Sequence, residues 1–348
     1  MRARSNQLVE PYGPSGGLAQ ALAARLLGQS SAIETIVPYV QMYQANLAPE
    51  GRPVGVFLLL GPSGTGKTRT VEALAEVLHG SYKKFLKVDC GEFQMEHEMA
   101  KLIGAPPGYL GHRETQPMFT QQKLSAVISE SSDLSIVLFD EIEKAASSMT
   151  RLLLGVLDKA SLRLGDNTSV NFEKSLIFLT SNLGARSMSR ELHPDFGFEA
   201  VIPHGAVDKS RKLEHIAMAA VRKRFAPEFV NRIDVIITYQ PLSRAAVSSI
   251  LDQQLADLQH HLDKRLGVRS FHLEVPARTR KSLLRMGISE EFGARELKRT
   301  LQRRLIQPLA VLISSGQIRP GSVVRAEITD AKGKLVLRGV DEELEPTA

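Results

Sequence analysis

One stretch limits this chain more than any other: an unbroken apolar run that ends at a glycine-rich octapeptide. Val54 to Leu60 carries no charged or polar side chain. A strand that is apolar at every position, rather than at alternate ones, is buried on both faces of a parallel sheet. Gly61-Pro62-Ser63-Gly64-Thr65-Gly66-Lys67-Thr68 follows and fits G-x-x-x-x-G-K-[ST]. In such a loop the glycines let the backbone curl until its N–H groups converge on phosphate oxygens. Lys67 then reaches the outer phosphates and the Thr68 hydroxyl can ligate Mg²⁺. The loop works only between a strand and a helix, and Thr68 to Leu78 reads as that helix. The expected ligand is a nucleoside triphosphate with Mg²⁺.

Further buried strands are expected at Lys84 to Asp89, Ser135 to Phe139, Leu176 to Thr180 and Val235 to Tyr239, with helical stretches between them. Helices are also expected around Leu22, Leu26 and Leu27, and from Ser31 to Ala45. The βαβα alternation predicts an α/β fold with a mostly parallel sheet. After Pro241 the pattern changes. A long helix is expected from Ser243 to about Leu266, shorter ones over Ala277 to Met286 and Ala294 to Ser314, and a hairpin from Gly321 to Leu337. The expected organisation is a flexible lead-in over 1–25, a large nucleotide-binding domain over 26–240, a small, mainly helical lid over 241–340, and an acidic tail over 341–348.

Ser135-Ile136-Val137-Leu138-Phe139 runs into Asp140-Glu141. Asp140 at a strand tip can hold the shell of Mg²⁺, and Glu141 can polarise the water that attacks a γ-phosphate. Many buried strands end in an acidic turn, so this pair gains its meaning from the phosphate loop upstream.

Bulk properties remove several classes. No apolar run approaches the ~20 residues of a membrane helix, and the first ten residues lack the apolar core of a secretory signal. Cys90 is the single cysteine, which excludes an internal disulfide and suits a reducing compartment, so a cytoplasmic location is expected. The nine histidines show no metal-ligand spacing. The net charge of +6 is mild, and no basic stripe is interleaved with aromatics, which argues against a nucleic-acid partner. Arg222-Lys223-Arg224 and Arg303-Arg304 read as solvated helix faces.

Phosphate loops serve kinases, GTPases, helicases and AAA+ machines alike. Six further segments narrow the choice: Leu27-Gly28-Gln29, Gly104 to Gly111 (GAPPGYLG), Phe139 to Ala145 (FDEIEKA), Thr180 to Gly184 (TSNLG), Phe225 to Asp234 (FAPEFVNRID) and Gly293 to Arg299 (GARELKR). In this order they resemble the C-terminal AAA+ module of the Clp unfoldases and of the ClpB disaggregase, over about Leu26 to Val340.

The resemblance implies a ring protomer, expected as a hexamer, that hydrolyses ATP with Mg²⁺ and threads protein substrates through a central pore. It implies that Asn182 is sensor 1, orienting water beside Glu141, and that Arg232 is an arginine finger reaching the neighbouring protomer's nucleotide. An Asx-turn and an Arg232–Asp234 surface pair are the structural alternatives for these two. It further implies that Arg295 is sensor 2, that Leu26 and Leu27 line the adenine pocket, and that Tyr109, with Leu110, grips substrate from a pore loop. A second pore loop is expected around Gly165-Asp166-Asn167-Thr168.

Phe196-Gly197-Phe198 resembles the hydrophobic-Gly-hydrophobic tripeptide that docks Clp unfoldases onto the ClpP peptidase, with Phe at the first position where the family usually has an aliphatic residue. The sequence shows one phosphate loop where many Clp proteins have two, and a chain without the large N-terminal and coiled-coil middle domains associated with ClpB is expected. Two rival functions stay open: a regulatory switch that remodels a partner without threading it, and a nucleic-acid motor.

Overall fold

The computed structural model describes residues 17–104, 117–192, 206–287, 293–329 and 335–340. The chain forms two compact units whose segments interleave. The first comprises Met1–Leu60, Lys67–Ser181 and Ala220–Thr238; the second comprises Gly61–Gly66, Asn182–Ala219 and Tyr239–Ala348. The second unit therefore takes in two segments that precede the sequence-level boundary after 240, one of them most of the phosphate loop.

The strands are β1 (Gly55–Leu60), β2 (Leu86–Asp89), β3 (Ser135–Asp140), β4 (Ser161–Arg163), β5 (Ser169–Asn171), β6 (Ser175–Ser181), β7 (Val235–Thr238), β8 (His272–Glu274), β9 (Val323–Ile328) and β10 (Leu335–Val340). In the first unit five of them form a sheet in the order β2-β3-β6-β1-β7. Every neighbouring pair is parallel. All five carboxyl ends thus lie along one edge, where open α/β sheets present their binding residues. β1 and β6 are buried throughout, and β3 is buried up to Asp140, as the unbroken apolar runs require.

Aromatic rings fix the strand faces. Phe57 of β1 stacks on Phe178 of β6 at 5.1 Å between centroids, and Tyr39 meets Phe57 edge-on at 4.9 Å. Phe119 packs against both Phe139 and Phe172. Each such ring adds about 0.5–1.5 kcal/mol beyond its buried area.

The antiparallel hairpin β4–β5 has no counterpart in the sequence expectations. Its strands are three residues long, with only Leu162 and Val170 buried in them. That is too short for an alternating pattern to show. Its turn holds Asp166, which accepts hydrogen bonds from the Thr168 N–H at 2.9 Å and the Thr168 hydroxyl at 2.7 Å.

The second unit joins helices to a three-stranded sheet, β10-β9-β8. β9 and β10 form the expected antiparallel hairpin, and β8 adds a parallel edge that the sequence did not disclose. Ser243 caps the helix Arg244–Leu266 by accepting from the Ala246 N–H at 3.1 Å. The stretch from Ala294 to Ser314 is helical throughout, but Gln302–Ile306 is a π-turn between α-helices Ala294–Leu301 and Gln307–Ser314. Leu297, Leu301, Leu305 and Leu309 are all buried. A strict four-residue spacing overshoots an α-turn by ~40° at each step. The wider i→i+5 turn absorbs part of that overshoot and keeps the leucines on one face.

Candidate functional site

In the first unit the Asp140–Glu141 pair is built by the strand register. Parallel pairing sets Asp140 beside Asp89 of β2, and β6 runs along the other side of β3. Thr180 of β6 donates its hydroxyl hydrogen to Asp140 Oδ1, and the Thr180 hydroxyl oxygen accepts from the Glu141 N–H at 3.0 Å. Lys87 of β2 lies 2.7 Å from Asp140 Oδ2. Both carboxylate oxygens are therefore held in position.

Glu141 has φ 58° and ψ 49°, the left-handed region. A non-glycine residue there costs on the order of 1–3 kcal/mol and persists only where its surroundings enforce it. The enforcers are local. Thr180 takes the Glu141 N–H, Ile142 is fully buried, and the Lys144 N–H donates to the Glu141 carbonyl at 2.9 Å. Lys144 Nζ also lies 2.5 Å from Glu141 Oε2. That bond to Glu141 pushes the Lys144 pKa up. Beneath the pair, burial pushes the Cys90 thiol well above its ordinary range, with Asp140 and Asp89 adding to the effect. Cys90 is thus an inert packing residue.

Lys67 opens the helix Lys67–His79 and is nine-tenths buried. Arg25 pairs with Glu76 of that helix at 3.1 Å, which fixes the segment carrying Leu26 and Leu27. Leu26 is buried and Leu27 is half-buried.

Arg232 follows the short helix Pro227–Val230 and pairs with Asp158 at 3.1 Å. The alternative Arg232–Asp234 pair does not form. Asp234 is engaged by Arg52 and accepts from the Val56 N–H at 2.8 Å, so it ties β7 to β1.

The second unit holds the loop Gly61–Gly66. Gly61, Gly64 and Gly66 have φ of 146°, 76° and 105°. Successive N–H groups in such conformations form an anion-binding concavity. A Cβ on Gly61 would stand 2.5 Å from the Tyr239 carbonyl oxygen, so only glycine fits. Thr65 donates its hydroxyl to the Pro62 carbonyl at 2.9 Å, closing the loop on itself. Gly293 lies against the same loop, where a Cβ would meet the Gly64 carbonyl oxygen at 2.8 Å. The Ala294 N–H donates to that carbonyl at 3.1 Å, and Arg295 Nη1 donates to Ser63 Oγ at 2.9 Å. Asn182 follows β6, and its carbonyl accepts from the Ala185 N–H at 3.1 Å.

These loop conformations, the phosphate-loop spacing and the parallel order suit a nucleotide-binding domain. A family model for the AAA domain of the Cdc48 subfamily matches residues 52–236, more than half the chain. The chain belongs to that AAA family. A second model, for the C-terminal D2-small domain of ClpB protein, matches residues 242–326. The AAA chain is 35% identical to the Chaperone protein ClpB of Aquifex aeolicus over 315 residues, 90% of this chain and 30% of that protein. It is 32% identical to Heat shock protein 104 of Schizosaccharomyces pombe, over 90% of this chain and 33% of that protein. It thus spans about a third of the length of these curated relatives. Among solved structures it resembles the extended S. cerevisiae Hsp104:casein complex, with TM-score 0.78 and 26% identity over 93% of this chain and 52% of that one. A closed-state reconstruction of Hsp104 with ATPγS and FITC-casein gives TM-score 0.75 and 27% identity, over 92% and 51%.

No sequence pattern marks Lys87, Thr180 or Lys144 as a site residue. Thr180 and Lys144 fall within the TSNLG and FDEIEKA segments, but the reach of Thr180 to both carboxylate-bearing residues follows only from the β3–β6 register. Tyr109 and Leu110, and Phe196, Gly197 and Phe198, lie outside the described residues. Their flanks are informative: Gly104 and Pro117 stand side by side, and the Gly165 N–H donates to the Ile103 carbonyl at 2.8 Å. Among the described residues no helix is long and apolar enough to cross a membrane.

Proposed function

We propose that this chain is an ATP-hydrolysing protomer of a ring, with six copies, that unfolds and translocates protein substrates. The observation that carries the reading is the Thr180-anchored Asp140–Glu141 pair at the carboxyl edge of the sheet. ATP would lie along Gly61–Thr68, with Leu26 and Leu27 against its base. Thr68 and Asp140 would hold Mg²⁺, which neutralises phosphate charge when bound. Lys67, at the start of its helix, opposes the outer phosphates. Glu141 accepts the proton of the water that attacks the γ-phosphorus as the bond to the β,γ-bridging oxygen breaks. Asn182 helps align that water.

Arg295 senses the phosphate loop through Ser63, and Arg232 leaves Asp158 for the neighbouring protomer's γ-phosphate. Tyr109 and Leu110 contact the polypeptide. The hydrogen bond from Gly165 to Ile103 joins the second expected pore loop to the base of the first, which supports their moving together. Phe196-Gly197-Phe198 would dock a ClpP-type peptidase, and Phe198→Ser should abolish co-sedimentation with one.

The deciding experiment is ATPase activity with and without casein or single-stranded DNA. Stimulation by casein alone supports the reading. Stimulation by DNA alone, or no hydrolysis at all, overturns it.

A further inference from the structure

The turn that presents Glu141 is gripped from outside the sheet by one guanidinium. Arg224 ends the helix Ala206–Arg224. Its Nε and Nη2 both donate to the Glu143 carbonyl, at 3.0 and 2.8 Å, and Nη2 donates again to the Ala145 carbonyl at 2.9 Å. These carbonyls belong to the short turn that follows Glu141, where the left-handed backbone must be enforced. A rigid planar fork with several N–H groups can serve two carbonyls at once, which a lysine ammonium cannot do with the same geometry.

The same stretch of chain also carries Arg232. Phe225, buried next to Arg224, packs on Phe229 with ring centroids 5.2 Å apart, and the Arg232 N–H donates to the Phe229 carbonyl at 3.2 Å. Arg232 in turn pairs with Asp158. Asp158 is the penultimate residue of the helix Ser147–Lys159, which begins just after the turn that Arg224 holds. The segment from Arg224 to Arg232 is therefore fastened near both ends of that one helix: by Arg224 before its first residue and by Arg232 near its last.

We propose that Arg224 is a positioning residue for hydrolysis, acting through the turn after Glu141, and that it ties Glu141 of a protomer to the Arg232 segment of the same protomer. The proposal rests on the ATPase reading above. When Arg232 is drawn from Asp158 to a neighbour's nucleotide, the Arg224 anchor carries the displacement to the Glu141 turn. Firing in one site then depends on occupancy of the next.

The test uses the full chain and Arg224→Ala and Arg224→Lys. Expected for Arg224→Ala are a kcat lowered about ten-fold, equivalent to about 1.4 kcal/mol of barrier, and a KM within two-fold of wild type. A Hill coefficient for ATP reduced towards one and faster hydrogen exchange at the amides of Lys144, Ala145 and Ala146 should accompany it. Arg224→Lys should recover part of kcat. A double-mutant cycle on kcat with Asp158→Asn should be non-additive, since both substitutions loosen the same segment.

Unchanged kcat, or unchanged exchange at those amides, overturns the proposal. So does a kcat loss matched by an equal loss of ATP affinity, which would mean general disorder. If the wild type hydrolyses no ATP, the ATPase reading itself falls. The exchange measurement still decides whether Arg224 holds the turn, so the two failures are distinguishable.

Discussion

Arg232 is held 3.1 Å from Asp158 within its own chain, while the acidic residue two positions away, Asp234, belongs to Arg52 and the Val56 N–H. A pair this exposed is worth well under about 1 kcal/mol. Arg232 can therefore exchange Asp158 for a better anion at little cost, as a residue acting on a neighbour's phosphate must. Arg232→Ala should leave ATP binding intact and lower hydrolysis by about 10³-fold or more, the range for an arginine finger. Mixing Arg232→Ala with Glu141→Gln protomers should restore part of the activity, because some interfaces then pair an intact Glu141 with an intact neighbouring Arg232. The check is ATPase rate against mixing ratio; a flat, inactive curve in demonstrably mixed rings would count against action in trans.

Thr180→Val removes one hydroxyl and keeps the shape. Asp140 then loses one of its donors, keeping Lys87, and the Glu141 N–H loses the Thr180 hydroxyl. An unmet polar group of this kind costs about 1–3 kcal/mol, so urea unfolding should shift by that amount and kcat should fall about ten- to a hundred-fold. Thr180→Ser should retain most activity in the same assays. Equal loss in both variants would show that the methyl group, not the hydroxyl, matters.

Tyr109→Ala should separate the two halves of the machine. ATP hydrolysis should stay within about three-fold of wild type, because the residue is assigned to substrate and not to the chemistry. Unfolding of a tagged protein substrate, followed by loss of its fluorescence, should cease. Unimpaired unfolding would favour a switch that remodels its partner without threading.

His79 supplies a pH test of stability. It is buried at the end of the helix Lys67–His79, with Nδ1 3.0 Å from Ser129 Oγ. Burial lowers its pKa from the ordinary 6.5, opposed by the Leu134 backbone and assisted by the Lys84 charge. Between the lowered value and 6.5 the folded state then binds fewer protons than the unfolded state. Stability should be full above pH 6.5 and decline as pH falls through the window between 6.5 and the lowered value. Urea titrations at pH 7.5 and 5.5 should show the decline, and His79→Gln should make it shallower. An unchanged slope would mean that other histidines carry it.

The phosphate loop, the strand tips and the cap at Ser243 could all be read from the sequence because each is local. Its neighbours along the chain are the residues that give it meaning. Lys87, Thr180 and Lys144 could not be read in this way. Two of them act across strand pairings whose register no single segment encodes, and the third acts through a turn with an unusual backbone. Arg224 stood in a basic cluster that reads as solvated. Its side chain is largely exposed, and only the proximity of two carbonyls from a distant turn gives it a role. The hairpin β4–β5 and the edge strand β8 were too short to carry a pattern. The π-turn needed the burial of four leucines to explain it.

That π-turn makes the length of its segment less constrained than that of a regular α-helix. Gln302, Arg303 and Arg304 are exposed, and Arg303 pairs with Glu296 at 2.7 Å. Removing Gln302, Arg303 or Arg304 would let the helix close into regular α form, with Leu309 then seven residues after Leu301, about two α-turns away and so on the same face. Leu305, three residues after Leu301, would stay on that side as well, an ordinary i, i+3, i+7 apolar stripe. A one-residue deletion among these three exposed positions should therefore be tolerated better than one in a regular α-helix, while truncating the buried Leu305 should cost as much as any core change.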